Sequence, residues 1–447
     1  MTDTDITRRL AAWTVALRPD DIPEAVRREG VRTFVNWLGC ALGGARHETV
    51  DRAIAALAPF SGPARAQVLG RSERLDELHA ALMNGISSHV LDYDDTHLKT
   101  IIHPAGPVAS AILAVAEARP VTGEAFLAAL VAGVEVECRI GNAVYPEHYD
   151  RGWHITGTTG VFGAAAAVGR LLDLDERQMT WAYGIAATQS SGFREMFGTM
   201  CKSFHPGRAA QNGAAAAFLA KANFDSSLQA IEAPRGWANV LSTKQDYGEI
   251  VDDLGTRWEA KLNSYKPYAC GIVIHPAIDG CSQLRERLGE RVTRIRSVEL
   301  GTHYLVLELT GKRTPQTGLE SKFSVYHAAA VALLHGDGTP TAFTDERARD
   351  PEIIALRDRV QAKVEPGIEE DAVRIAVTLE DGERIELHVE HAIGSLERPL
   401  SDEAITEKFR RQAEPVVGAD TAARAIEAGW ALAGTGDAGA IARLCAA

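Results

Sequence analysis

The sequence predicts a mainly α protein: a large all-helical domain formed by both chain ends, with an inserted smaller α/β (α+β) lid domain. Three observations predict it. Alanine and the 40 glycines are abundant while only 6% of residues are aromatic, which favours closely packed helices over a β-sandwich. Apolar residues recur at helical spacing through roughly the first 260 positions. Strict alternation appears only later, where Val373, Ile375, Val377 and Leu379 lead through Asp381-Gly382 to Ile385, Leu387 and Val389.

The elements follow in order. Asp21-Ile22-Pro23-Glu24 reads as a capping box with proline in the first turn, opening a helix through Val26, Phe34 and Leu38. Thr122 caps a helix over 124–144, in which Glu135 precedes Arg139 by four positions, the favourable order for an ion pair. Asp173-Leu174-Asp175-Glu176 opens another, through Met179, Ala182 and Ile185. The stretches 157–172 and 213–222 carry small residues on several faces, so their helices can approach neighbours closely and are placed at the centre. The pattern changes at Tyr265-Lys266-Pro267. Beyond it, 297–309 reads as one or two strands, 322–335 and 353–364 as helices, and 373–389 as a hairpin. The predicted domains are therefore 1–265, all helical; 266–394, the lid; and 395–447, a helical tail that completes the large domain.

Charge and composition narrow the function. With 47 basic and 60 acidic residues the formal charge is −13, which supports solubility and opposes a nucleic-acid surface. The run 157–172 contains Arg170 and is shorter than a bilayer span of roughly 20 residues, so no membrane role is expected. The first nine residues lack an apolar signal core. Six cysteines without a C-x-x-C pair read as free thiols in a reducing compartment, and a cytoplasmic location is expected.

Polar groups interrupt the helical pattern at four places. Asp92-Tyr93-Asp94-Asp95-Thr96-His97 runs on to His103-Pro104. Its plain reading is a solvated helix end; its chemical reading makes His103 an acid or base, with Asp92 orienting an imidazole or pairing with a cation. Gly152-Trp153-His154 puts an imidazole just ahead of a helix N-terminus, where anions are favoured, and Tyr149 is a weaker candidate acid nearby. Packing or capping would equally explain His154. Lys202-Ser203-Phe204-His205-Pro206-Gly207-Arg208 reads as a cationic loop that opens a helix near Ala209, an anion site by charge and by dipole. Lys266, Cys270 and His275 follow the Tyr265 hinge, which either simply turns the chain or delivers them to an interdomain cleft. Tyr326 adds a hydroxyl from the same side. No H-E-x-x-H, cysteine pair or phosphate-binding glycine motif is present, so neither metal nor cofactor is expected.

Taken together, Leu91 to Thr96, His103-Pro104, Gly152-Trp153-His154, Gly198 to Lys202 with Gly207-Arg208, Lys266-Pro267-Tyr268 and Lys322-Phe323-Ser324 resemble the MmgE/PrpD family, in the family's order and over nearly the whole chain. The resemblance implies a helical domain with an α/β lid, a homodimer, no required metal and a site for small polycarboxylates between the domains. It carries Asp92, Thr96, His103, His154 and Lys202 into that site. Cys270 stands where, by this resemblance, decarboxylating members place a histidine. The expected catalytic set is His103, His154, Lys202, Asp92 and Tyr149, with Thr96, His205, Arg208, Lys266, Cys270 and Tyr326 binding substrate. The reaction expected first is that of a 2-methylcitrate-dehydratase-like hydro-lyase. Epimerisation of an iminodisuccinate-like dicarboxylate comes next, then cis-aconitate-type decarboxylation, and last a protein that binds an anionic metabolite without turnover.

Overall fold

In a computed structural model of the protein, residues 5–447 are described; the first four positions of the polar N-terminal stretch lie outside them. Helix dominates, and the apolar side chains gather into two cores.

The first core is helical. The long helices Glu24–Gly44, Glu77–Val90, Ala105–Ala118, Gly123–Val144, Ile155–Leu171 and Met200–Lys221 build it, and the C-terminal helices Asp402–Val417, Ala419–Trp430 and Gly439–Leu444 pack into it through Ile405, Phe409, Ile426 and Ile441. Met200–Lys221 runs between Glu77–Val90 and Ile155–Leu171. Small residues make that approach possible: a Cβ on Gly85 would stand 2.5 Å from Gly207 Cα. Two expected caps are in place, Thr122 accepting from Ala125 N and Asp175 forming a capping box with Gln178.

Two readings change here. Asp21 does not cap Glu24–Gly44; its carboxylate turns back to Arg18 in a short 3-10 segment, and Pro23 precedes the helix. The 202–208 segment is not a loop. The helix starts at Met200 behind Thr199 and continues through Pro206, because the tight seam at Gly207 holds the backbone helical despite the missing proline N–H.

The second core surrounds a four-stranded sheet ordered Val360–Val364, Ile295–Thr302, Val373–Leu379, Arg384–Val389. The first pair is parallel and the others antiparallel, with Val377 opposite Val298 and Ile385. Helices His275–Leu288 and Val325–His335 cover one face, while Glu299, Arg374, Arg384 and Glu386 line the other. The expected hairpin forms, with Gly382 at φ 91° in its turn. Two segments differ from expectation. Chain beyond Thr302 becomes the helix Tyr304–Thr310, and 353–364 splits into the helix Pro351–Arg357 and a strand. Parallel pairing with 298–302 supplies hydrogen bonds that local periodicity cannot reveal.

A small ladder crosses between the cores. Asp95–His97 pairs antiparallel with Asn263–Tyr265, Thr96 opposite Ser264. It brings the Asp92 turn against Lys266, and thus positions the site. Among the described residues no helix is long and apolar enough to cross a membrane, and all six cysteines are free.

Candidate active site

The helix Glu77–Val90 ends at Leu91, and Asp92 then adopts φ 51°. Aspartate tolerates this left-handed conformation. The turn leaves three consecutive carbonyls to be satisfied, and each meets a buried ammonium from a different segment. Lys322 Nζ donates to Leu91 O at 2.7 Å, Lys266 Nζ to Asp92 O at 3.3 Å and Lys408 Nζ to Tyr93 O at 2.6 Å. Burial of unpartnered carbonyls would be costly, so these lysines hold the turn in place.

The Asp92 carboxylate faces a narrow cleft lined also by His103, Tyr149, His154, Lys202, Lys266 and Phe323. Its Oδ1 accepts from Lys266 Nζ at 2.6 Å and lies 3.2 Å from Lys202 Nζ. Burial alone would raise the Asp92 pKa, but the two ammonium groups outweigh it and hold the carboxyl well below its usual range. Burial lowers Lys202 in spite of Asp92, whereas Lys266, closer to the carboxylate, is raised despite burial. Lys202 sits in the first turn of a 22-residue helix, where the dipole disfavours a cation. Stability is being given up there for charge in the cleft.

His103 is held from behind. Its Nδ1 lies 2.8 Å from Asp95 O and 3.4 Å from Thr96 Oγ1, and its backbone N donates to Thr156 Oγ1. A carbonyl can only accept, so Nδ1 carries the proton and Nε2 keeps its lone pair. His154 immediately precedes the helix Ile155–Leu171; its ring centroid is 6.3 Å from that of His103, and its Nδ1 is 2.8 Å from His205 Nδ1. Burial pushes both His103 and His154 well below the ordinary imidazole pKa, so both rings are neutral near pH 7.

The expected residues thus divide. Asp92, His103, Tyr149, His154, Lys202 and Lys266 line one cleft. Thr96 stands behind His103 and His205 behind His154. Tyr149 lies under the Arg194 guanidinium, and burial raises its phenol. Arg208 does not join them: it is exposed and bonds Gln211, because six residues of helix turn it away from the face of Lys202 and His205. Tyr326 packs in the second core beneath Arg313. Cys270 is fully buried, its thiol pushed up by burial, and the neighbouring Gly271 and Ile272 line the cleft instead. His275 stacks edge-on to Tyr268 and borders an adjoining recess.

Sequence reasoning missed His89 and Lys408, and left Asp94 and Lys322 inside its motifs without a role. His89 Nδ1 is 2.6 Å from Asp94 Oδ2, and His89 Nε2 is 2.9 Å from Lys202 Nζ. His89 lies one helical turn before the acidic run, a usable signal; nothing local marks Lys408. Ring nitrogens of His89, His103 and His154 lie within 4.8 Å of one another, as do ligand atoms of Asp92, Asp94 and His103, spacings a cation could use. The Lys202 ammonium already bonds His89 and neighbours Asp92 among them, so the chain supplies a positive charge at that point.

Comparison with known proteins agrees in extent. The MmgE/PrpD N-terminal domain model matches residues 8–250, and the MmgE/PrpD C-terminal domain model matches 268–433. A cis-aconitate decarboxylase of Aspergillus terreus is 26% identical over 440 residues, covering 92% of this chain and 90% of its own. The cis-aconitate decarboxylase of Homo sapiens is 26% identical over 444 residues, covering 93% and 89%. A 2-methylcitrate dehydratase of Cupriavidus necator is 24% identical over 415 residues, covering 84% of each.

Proposed function

The chain belongs to the MmgE/PrpD family, and from that premise we propose that it is a cofactor-independent lyase that moves a proton at the carbon beside a carboxylate of a di- or tricarboxylate, dehydrating a 2-methylcitrate-like hydroxy acid. The observation that carries this reading is one cleft in which two lysines share Asp92 beside two histidines kept neutral by burial. Lys202 and Lys266 attract the substrate carboxylate within a chain whose overall charge opposes it.

In the proposed reaction His103 Nε2 takes the proton from the carbon. The electron pair left on that carbon spreads into the adjoining carboxylate, where the lysines stabilise the added charge. The pair then forms the carbon–carbon double bond as the hydroxyl departs. His154 protonates it to water, and the incoming anion raises this imidazole toward the protonated form. Asp92 fixes both lysines and takes no proton.

Incubation with 2-methylcitrate, citrate and cis-aconitate in deuterated water tests the reading. A hydroxy acid should yield a conjugated double bond, with deuterium entering recovered substrate at the carbon beside the carboxylate. Absence of turnover and exchange with every polycarboxylate would overturn it. Decarboxylation is the second reading, favoured by relatives of that name that match at higher identity and over more of the chain. It would appear as carbon dioxide release from cis-aconitate with the hydroxy acids untouched. Inversion with exchange would instead mark an epimerase, and stoichiometric binding without turnover a carrier.

The proposal includes a cytoplasmic homodimer. Exposed Phe193, Phe224, Leu228 and Val240 support association, and free thiols a reducing compartment. Sedimentation and cell fractionation test these two points.

A further inference from the structure

Lys202 and Lys266 share one carboxylate but differ in their second acceptor. Lys266 adds the backbone oxygen of Asp92, whereas Lys202 adds His89 Nε2 at 2.9 Å. His89 and Asp94 are fully buried and lie 2.6 Å apart, and neither lines the cleft that holds His103 and His154. Asp94 is ionised: its contact with His89 and the nearby Lys266 ammonium hold its pKa below the usual range despite burial. An ionised carboxylate only accepts, so the His89 proton is on Nδ1 and its Nε2 lone pair points at Lys202.

An ammonium has three N–H groups. One of Lys202's is given to His89 and a second faces Asp92, with the rings of Phe197 and Phe323 at 5.3 and 5.4 Å. The third is left for the cleft. A neutral imidazole also accepts without adding the negative charge that a second carboxylate would bring.

We propose that His89 and Asp94 are positioning residues: Asp94 fixes the tautomer of His89, and the bare Nε2 of His89 aims Lys202 at the substrate and holds it as an ammonium. This rests on the reading of Lys202 as a substrate-facing group. Asp94→Asn would present an amide N–H to His89 Nδ1, move the ring proton to Nε2 and set it against the lysine. The ammonium would then be disfavoured, and the basic limb of the pH–kcat profile would move to lower pH.

The test combines activity with a readout that needs no substrate. In enzyme carrying 15N-histidine, the His89 signals, assigned by their loss in His89→Gln, should show Nδ1 protonated and Nε2 bare; in Asp94→Asn the two should exchange. Against the substrate found to turn over, Asp94→Asn should lower kcat about 100-fold with KM within threefold and bring the basic limb down by about one pH unit. His89→Gln, which keeps an acceptor for Lys202, should retain more kcat than His89→Asn, which keeps only a donor for Asp94. A wild-type His89 protonated on Nε2 would overturn the proposal, as would losses of kcat that leave the basic limb in place or reverse the order of the two His89 variants. Correct tautomers in an enzyme without turnover would count against the functional reading alone.

Discussion

Two buried charged clusters, one inside the helical core and one between the two cores, are satisfied in different ways. At Arg139 every charge is answered within the protein. Its guanidinium bonds Glu135 at 2.6 Å and backbone carbonyls including those of Asp252 and Arg257, while Glu135 also accepts from Ala260 N. Arg139 itself is fully buried. At Asp92 two ammonium groups converge on one carboxylate oxygen, Asp92 Oδ2 has no hydrogen-bond partner among the described residues, and the cluster faces a cleft. Arg139 knits a helix to the loop preceding the cross-core ladder. The Asp92 cluster keeps hydrogen-bonding capacity in reserve, as a binding site must.

Substitutions can break this contrast. The largest expected effect is on activity: His103→Gln removes the proposed base and should lower kcat about 1,000-fold while the melting temperature holds. Arg139→Met should do the reverse. Leaving Glu135 buried without its partner costs about 3–5 kcal/mol, seen in denaturant unfolding, with activity per folded molecule preserved. If His103→Gln unfolds the protein, or Arg139→Met selectively abolishes turnover, the division between the clusters fails.

Two titrations sharpen it. Because burial holds His103 below the usual imidazole pKa of about 6.5, its basic form survives to lower pH, and the acid limb of kcat/KM should fall below that value. The smallest effect concerns Asp95, which accepts from Ala105 N and Asn263 and is raised to about 7, first by burial and then by Asp94. The folded protein keeps this proton between pH 4 and 7, where the unfolded chain has lost it, so the contribution of Asp95 to stability declines as pH rises through that window. Asp95→Asn should flatten the decline and raise the melting temperature at pH 8 by about 2 °C.

Local signals made part of this legible. Caps at Thr122 and Asp175, the Asp381-Gly382 turn and the small-residue helices all follow from short-range chemistry. So does the suspicion attached to Asp92, His103, His154 and Lys202, polar groups where helix packing would not choose them. The illegible parts depend on distant partners. Pro206 argues locally for a loop, yet packing at Gly207 carries the helix through it. Strand Val360–Val364 exists because Ile295–Thr302 lies beside it. Arg208 was grouped with Lys202 by sequence proximity, and helical geometry separated them.

The turn at Leu91, Asp92 and Tyr93 also imposes an order on biosynthesis. The lysines that receive its carbonyls follow those residues by 231, 174 and 315 positions. At about 5–20 residues per second, a ribosome needs roughly 15–60 s to pass from Tyr93 to Lys408. From the synthesis of Lys266 onward, a nascent chain holds the proposed proton-transfer residues without the last ammonium that secures the turn. The turn under the candidate site is therefore complete only when the C-terminal helices have been made and have packed.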